Sequence, residues 1–243
     1  MRAVLPKAVR VKSAIQFWSA VMFIDRQLVI AIGGATASGK TRAAEFLARQ
    51  LGIYRIISTD YVRVMMYAFS RNTKIPVNRK LRCAALRVGK SAHETSYESL
   101  DAVEKRRIVI NGYLDQVKIL STSLSAIVTR SRYEEKPIII EGIHIYPDEI
   151  QHWPTPVVPI YLSISDISVH LTRLECRANE LFRSERATRT LEHCDEITEI
   201  RWIHDHIIER AKVFTGSFIV TNDSSVEKFK QHLIAVIRHQ NPT

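Results

Sequence analysis

The residues best equipped for chemistry form one short run: Gly34, Ala35, Thr36, Ala37, Ser38, Gly39, Lys40 and Thr41. They spell Gly-x4-Gly-Lys-Thr, after the apolar stretch Leu28-Val29-Ile30-Ala31-Ile32 and before the helical pattern RAAEFLARQLG. A strand, a glycine-rich loop and a helix in that order let backbone N–H groups turn inward around phosphate oxygens, where a β-carbon would obstruct them. Lys40 would reach the β- and γ-phosphates of a nucleoside triphosphate, and the Thr41 hydroxyl would complete the shell of a Mg2+ ion. The helix opening at Lys40 adds the positive end of its dipole to the same anion. A glycine turn with a chance Lys-Thr is the bland alternative, and the strand and amphipathic helix on either side speak against it. ATP and Mg2+ are therefore the expected cofactors, although the loop alone also admits GTP.

Carboxylates follow two later apolar runs. Asp60 stands directly after the second, in IISTDYVRVMM, where the carboxyl ends of parallel strands gather ligands. It reads as a general base or an orienting acceptor for a substrate hydroxyl. Its alternative is a helix N-cap, a role that Ser58 and Thr59 would also fill. Glu141 ends Pro137-Ile138-Ile139-Ile140 and precedes Gly142 and His144. A buried acid is costly without a cation, so Glu141 and Thr41 are the expected metal residues. His144 reads equally as a contact to an acceptor phosphate or as a satisfied loop histidine. Further on, LTRLECRANELFRSERATR sets Arg173 and Arg177 one turn apart. Forked guanidinium donors suit a migrating phosphoryl group; ion pairs with Glu175, Glu180 and Glu185 on an exposed helix are the other reading.

Those residues need a frame. Five β-rich runs, Leu28–Gly33, Tyr54–Ser58, Pro137–Glu141, Val157–Ile164 and Ser217–Thr221, alternate with helical patterns, which predicts a five-stranded parallel sheet flanked by helices. Ala43, Ala44, Phe46, Leu47 and Leu51 mark the buried side of the first helix, with Gly52 as its C-cap. The roughly eighty residues between the second and third strands are too many for one crossover. Three helices are expected there, Asp60–Phe69, Asn78–Lys90 and Ser99–Arg132, followed by helices over His170–Thr190 and Asp195–Val213. The expected division is an extension over 1–26 and a domain over 27–243, with a helical acceptor-binding insert at 61–133 and an arginine-rich lid at 170–192.

Composition narrows the partners. The chain has 243 residues, 46% of them hydrophobic, which suffices for a packed core;. No run approaches the ~18 apolar residues of a membrane span. Cys83, Cys176 and Cys194 lack metal-ligand spacing, and reduced, mostly packed thiols in a cytoplasmic protein are expected;. The net charge is +10, and no acid lies between Asp60 and Glu94 among Arg63, Arg71, Lys74, Arg79, Lys80, Arg82, Arg87 and Lys90. A second basic set, Arg173, Arg177, Arg183, Arg186 and Arg189, follows; a solvated basic face would look the same, but two such runs beside a phosphate loop favour a small anionic second substrate, with nucleic acid the less expected partner. Residues 1–24 are basic, as a transit peptide, an extension helix or an upstream start would be.

Several motifs together resemble the 2-phosphoglycerate kinase family of P-loop small-molecule kinases: IAIGGATASGKT, STDYVRVMM, ETSYESL, INGYLDQVKILSTSLSAIV, PIIIEGIHIYPD, HLTRLECRA and EIRWIHDHI, in family order from Leu28 to Asn222. The resemblance implies the P-loop kinase fold and ATP-dependent phosphorylation of 2-phosphoglycerate to 2,3-bisphosphoglycerate. It also implies a version lacking the long N-terminal region of the archaeal enzymes. It makes Lys40 and Thr41 the nucleotide and metal residues, places Asp60 and Arg63 in the acceptor region with Ser96, Tyr97, Gln116 and His144, and gives Arg173 and Arg177 the lid role. The family's His-x-x-Arg-Phe segment ends in Leu174 here. A nucleoside, nucleotide or sugar-nucleotide kinase would share the loop, Asp60 and the arginines. A regulatory or nucleic-acid-associated NTPase is the alternative of another class, although neither an Asn-Lys-x-Asp base reader nor a transporter-cassette signature is present.

Overall fold

The computed structural model describes residues 25–73, 79–90, 96–154, 157–180, 194–223 and 225–240, and the side chains of all of these except 79, 177–180 and 239–240. The stretch 1–24 and the later lid positions Arg183, Arg186 and Arg189 lie outside the described residues.

Strands β1 (Val29–Gly33), β2 (Ile56–Ser58), β3 (Ile138–Gly142), β4 (Val157–Ser163) and β5 (Phe218–Thr221) form one sheet in the order β2-β3-β1-β4-β5. All four pairings are parallel. Every residue of β1 is buried, because helices cover both faces of a parallel sheet. Alternation then sorts its side chains. Ile30 and Ile32 pack with Ala43, Leu47, Phe229 and Leu233 of helices α1 (Lys40–Leu51) and α7 (Val226–Gln240). Val29 and Ala31 face Tyr113, Leu120, Ile203 and Ile207 of α3 (Ala102–Tyr133) and α6 (Ile197–Val213). Among the described residues the other helices are α2 (Thr59–Asn72), the short α4 (Pro147–Ile150) and α5 (Ile167–Glu180). With the glycine loop between β1 and α1, this is the P-loop kinase architecture that the resemblance implied.

Helix α1 buries Ala43, Ala44, Leu47 and Ala48 and ends on Gly52 at φ 64°, while Phe46 and Leu51 are only partly covered. Ile200, Ile203, Ile207 and Ile208 of α6 are buried as their spacing predicts. Cys176 is exposed, against the expectation of mostly packed thiols, and Cys83 and Cys194 are partly covered; none of the three forms a disulfide among the described residues. Among the described residues no helix is long and apolar enough to cross a membrane.

The insert differs most from expectation. Across the described residues 79–90 the helix anticipated over Asn78–Lys90 is absent, and the 3-10 turns Arg79–Leu81 and Ala85–Arg87 stand there. Its carbonyls are taken by outside donors. Arg63 Nη1 donates to Leu81 O at 2.8 Å, and Gln116 Nε2 donates to the carbonyls of Lys80 and Cys83. A β-carbon on Gly89 would strike the carbonyl of Ile108 in α3, and one on Gly112 would strike the backbone of Gly89. The chain is thus pressed flat against α3, where a helix would not fit. Helix α3 itself starts at Ala102, capped by the Asp101 side chain accepting from Glu104 N–H at 2.9 Å; Tyr97–Ser99 forms a separate turn.

Candidate active site

The sheet register brings the reactive positions level. Ser58 lies opposite Glu141 and Gly33 opposite Gly142, so the carboxyl ends of β1, β2 and β3 open on one row. Above β1 the loop takes positive φ at Gly34 (145°), Ala37 (62°) and Gly39 (96°). Alternating conformations of this kind turn successive N–H groups to one side and build an anion-binding nest. Its carbonyls are held by side chains: Lys40 Nζ, from the end of the loop itself, donates to Ala35 O at 2.6 Å, and Asn222 Nδ2, just past β5, donates to Ser38 O at 2.9 Å. His170 Nε2 stands 2.7 Å from Thr36 O. The buried hydroxyl oxygen of Ser38 has no partner among the described residues.

At the foot of α1, Thr41 Oγ1 donates to Glu141 Oε1 at 3.3 Å. Glu141 is 6% exposed. Burial raises its pKa, partly offset by the Lys40 ammonium and by hydrogen bonds from Ser58 and Thr41. A carboxylate so placed gains from a second cation, and hard oxygen donors beside a phosphate loop suit Mg2+. Among the described residues no cluster of three His, Cys, Asp or Glu could hold a metal.

Asp60 sits in the first turn of α2, 65% exposed, and accepts from Arg63 Nε at 3.1 Å. Its charge is felt by Glu141 and by His144. Ser58, not Asp60, is the N-cap, so the carboxylate has no capping duty. Arg63 is 13% exposed and spans from Asp60 to the Leu81 carbonyl, tying α2 to the insert.

His144 and Gln116 are both almost completely buried and belong to one chain of hydrogen bonds whose direction can be read. Gln116 gives its amide protons to two carbonyls, so its Oε1 must accept from His144 Nε2 at 2.7 Å;. Nδ1 then accepts, and the Thr59 hydroxyl donates to it at 2.8 Å. Burial pulls the His144 pKa down to about 4, keeping the ring neutral. The polar atoms of both residues are thus spent inside the protein, next to Asp60. Gly142 makes room for this, since a β-carbon there would land on Thr59 Oγ1.

Tyr97, 3% exposed, joins a different cluster. Its hydroxyl donates to Glu199 at 3.3 Å, with Lys90 and Lys105 over its ring and Arg87 on Glu196. Burial and Glu199 raise its pKa. Ser96 is exposed beside it, its carbonyl accepting from the Ser99 hydroxyl. Arg173 is half-buried, its Nη2 donating to the Asn222 carbonyl, and desolvation lowers its pKa against the opposing pull of Asp223. The side chain of Arg177 lies outside the description. Reading by motif left His170 and Asn222 without a role; the signal for the first was the His-x-x-Arg segment, and for the second its place right after the last strand.

Comparison with known proteins supports the resemblance. The chain is similar to the 2-phosphoglycerate kinase of Methanopyrus kandleri, with 26% identity over 91% of this chain and 64% of that protein. The Methanothermobacter thermautotrophicus protein of the same name shares 28% over 87% of this chain and 68% of its own length. The chain thus spans about two thirds of these relatives. A mevalonate-3-phosphate 5-kinase from Thermoplasma acidophilum is 25% identical over 76% of this chain and 83% of that one. No family model matches. Among solved structures, a gluconokinase from Sinorhizobium meliloti superposes with a TM-score of 0.47 and 10% identity over 89% of this chain and 95% of its own.

Proposed function

We propose that this chain is an ATP-dependent kinase that transfers the γ-phosphoryl group to a hydroxyl of a small anionic substrate, with 2-phosphoglycerate, giving 2,3-bisphosphoglycerate, as the acceptor its relatives support best. The observation that carries the reading is the Thr41–Glu141 contact beneath the glycine loop, with Asp60 in the first turn of the helix that follows the neighbouring strand. The loop of Gly34 to Thr41 holds the triphosphate through its N–H groups. Thr41 and Glu141 hold Mg2+, which when bound neutralises charge on the phosphates. Lys40 leaves the Ala35 carbonyl for phosphate oxygen. Asp60 orients or deprotonates the acceptor hydroxyl, while Arg63 keeps the carboxylate in place and adds positive charge for an anionic acceptor. Arg173 and Arg177 supply cations toward the migrating group. Ser96 and Tyr97, within the insert, and His144 and Gln116, in their buried chain of hydrogen bonds, complete the acceptor region. Phosphoryl transfer asks mainly for position and charge neutralisation, and these residues supply both.

ADP release from ATP across a panel of anionic metabolites tests this, with 2-phosphoglycerate, 3-phosphoglycerate, phosphorylated mevalonate and nucleosides included. Release that depends on 2-phosphoglycerate is the expected result. Similarity to a mevalonate-3-phosphate kinase favours a second reading, another phosphorylated alcohol as acceptor. Release indifferent to every acceptor would overturn both and leave a regulatory NTPase.

A further inference from the structure

His170 takes no part in the chemistry above, yet its ring is fully buried on α5 with Nε2 2.7 Å from the Thr36 carbonyl. A carbonyl only accepts, so Nε2 carries the proton; Nδ1 is left without a partner among the described residues;. Leaving a buried acceptor unpaired costs stability, so the ring is not placed for its own sake.

Peptide geometry shows what the contact achieves. A trans peptide is planar, and its C=O and N–H point in opposite directions. Holding the Thr36 oxygen against α5 therefore aims the Ala37 N–H to the other side, into the nest. By the same rule Asn222 on Ser38 O aims the Gly39 N–H, and Lys40 on Ala35 O aims the Thr36 N–H. The third of these contacts must break when Lys40 turns to phosphate. Between the two that persist stands Ala37 at φ 62°, a left-handed conformation that disfavours an L-residue by about 1 kcal/mol or more. Both persisting contacts depend on α5: His170 directly, and Asn222 through Arg173, one turn along the helix, which donates to the Asn222 carbonyl.

We propose that His170 is a positioning residue for the nucleotide: its Nε2–H bond to the Thr36 carbonyl holds Ala37 in the strained conformation that directs the loop's N–H groups at the phosphates. This rests on the loop being a nucleotide site, as argued above. Three variants test it by calorimetric titration with MgADP, together with KM values for ATP and acceptor. Gln at 170 reaches as far as the imidazole and keeps an N–H donor, whereas Met has the same length and none. His170→Met is expected to weaken MgADP about tenfold and raise the ATP KM in step, while His170→Gln stays within about threefold. The acceptor KM is expected to be unchanged in both. His170→Phe preserves ring packing without a donor and should behave like Met; it also replaces Met in the test if that variant does not fold. Packing alone would reverse the order, with Phe tolerated and Gln impaired, and that ranking, or wild-type affinity in the donor-less variants, overturns the proposal. Failure of the unaltered chain to bind MgADP would instead remove the nucleotide site itself.

Discussion

The two halves of the proposed site are built on opposite plans. The phosphate side is a short local loop whose shape follows from eight consecutive residues and is held by side-chain contacts at its rim. The proposed acceptor side is assembled from distant pieces. Thr59, His144, Gln116 and the carbonyls of Lys80 and Cys83 meet across up to 85 positions of sequence separation in one buried chain of hydrogen bonds. A rim contact can be exchanged for a ligand, as Lys40 must do. A buried chain cannot let go of one member without stranding the next, because each unpaired polar group there costs about 1–3 kcal/mol. Activity should therefore be most sensitive on the loop side, and stability on the acceptor side.

The largest effect expected is on turnover. Lys40→Ala removes the cation nearest the phosphates, and kcat should fall by about three orders of magnitude with the fold intact by circular dichroism. Asp60→Asn should lower kcat by about two orders of magnitude and leave MgADP affinity within about twofold, since Asp60 is exposed and its partner is Arg63, not the loop;. Equal loss of nucleotide affinity in the Asp60 variant would erase the distinction between the two halves.

Stability then exchanges the ranking. Gly142→Ala drives a methyl onto Thr59 Oγ1 at φ 155° and should cost about 2–3 kcal/mol, visible as a melting temperature lower by about 5–10 °C. Acid should act on the same chain. Burial holds the folded His144 pKa at about 4, below its ordinary 6.5, so between these values the unfolded state binds the additional proton. Stability from this group is complete above pH 6.5 and is lost as pH falls towards 4, by an amount on the order of 3 kcal/mol. His170 is depressed to a similar value by burial and contributes in the same direction. Thermal melts from pH 7.5 to 4.5 should therefore decline, and His144→Gln should flatten the decline while lowering stability at pH 7.5. An unchanged slope in that variant would show that the imidazole is not what the acid titrates.

This contrast also explains what was legible in the sequence. The loop, the strand-end acids and the five strands announce themselves by local spacing and apolar runs, and the sheet follows them to within one or two residues. The helix expected over Asn78–Lys90 had ample helical composition, but Gly89 and Gly112 let that segment lie directly on α3, and Gln116 and Arg63 satisfy its carbonyls. Tertiary donors overrode local propensity, and nothing near residue 85 signals a glutamine at 116. The resemblance puts Tyr97 with Ser96 in the acceptor region; the fold ties its hydroxyl to Glu199 on α6, a partner no motif spacing reveals.

The smallest effect probes the loop's own strain. Ala37→Gly removes the left-handed penalty of about 1–2 kcal/mol, but glycine gains about 0.5–1 kcal/mol of unfolded-state freedom. The net should be a stabilisation of about 0–1.5 kcal/mol, read as a melting temperature raised by at most a few degrees. If the outer contacts hold the loop, MgADP affinity should change less than about threefold, because Thr36 and Ser38 stay fixed on either side. A tenfold loss would mean instead that the Ala37 side chain, and not its anchored neighbours, keeps the nest in shape.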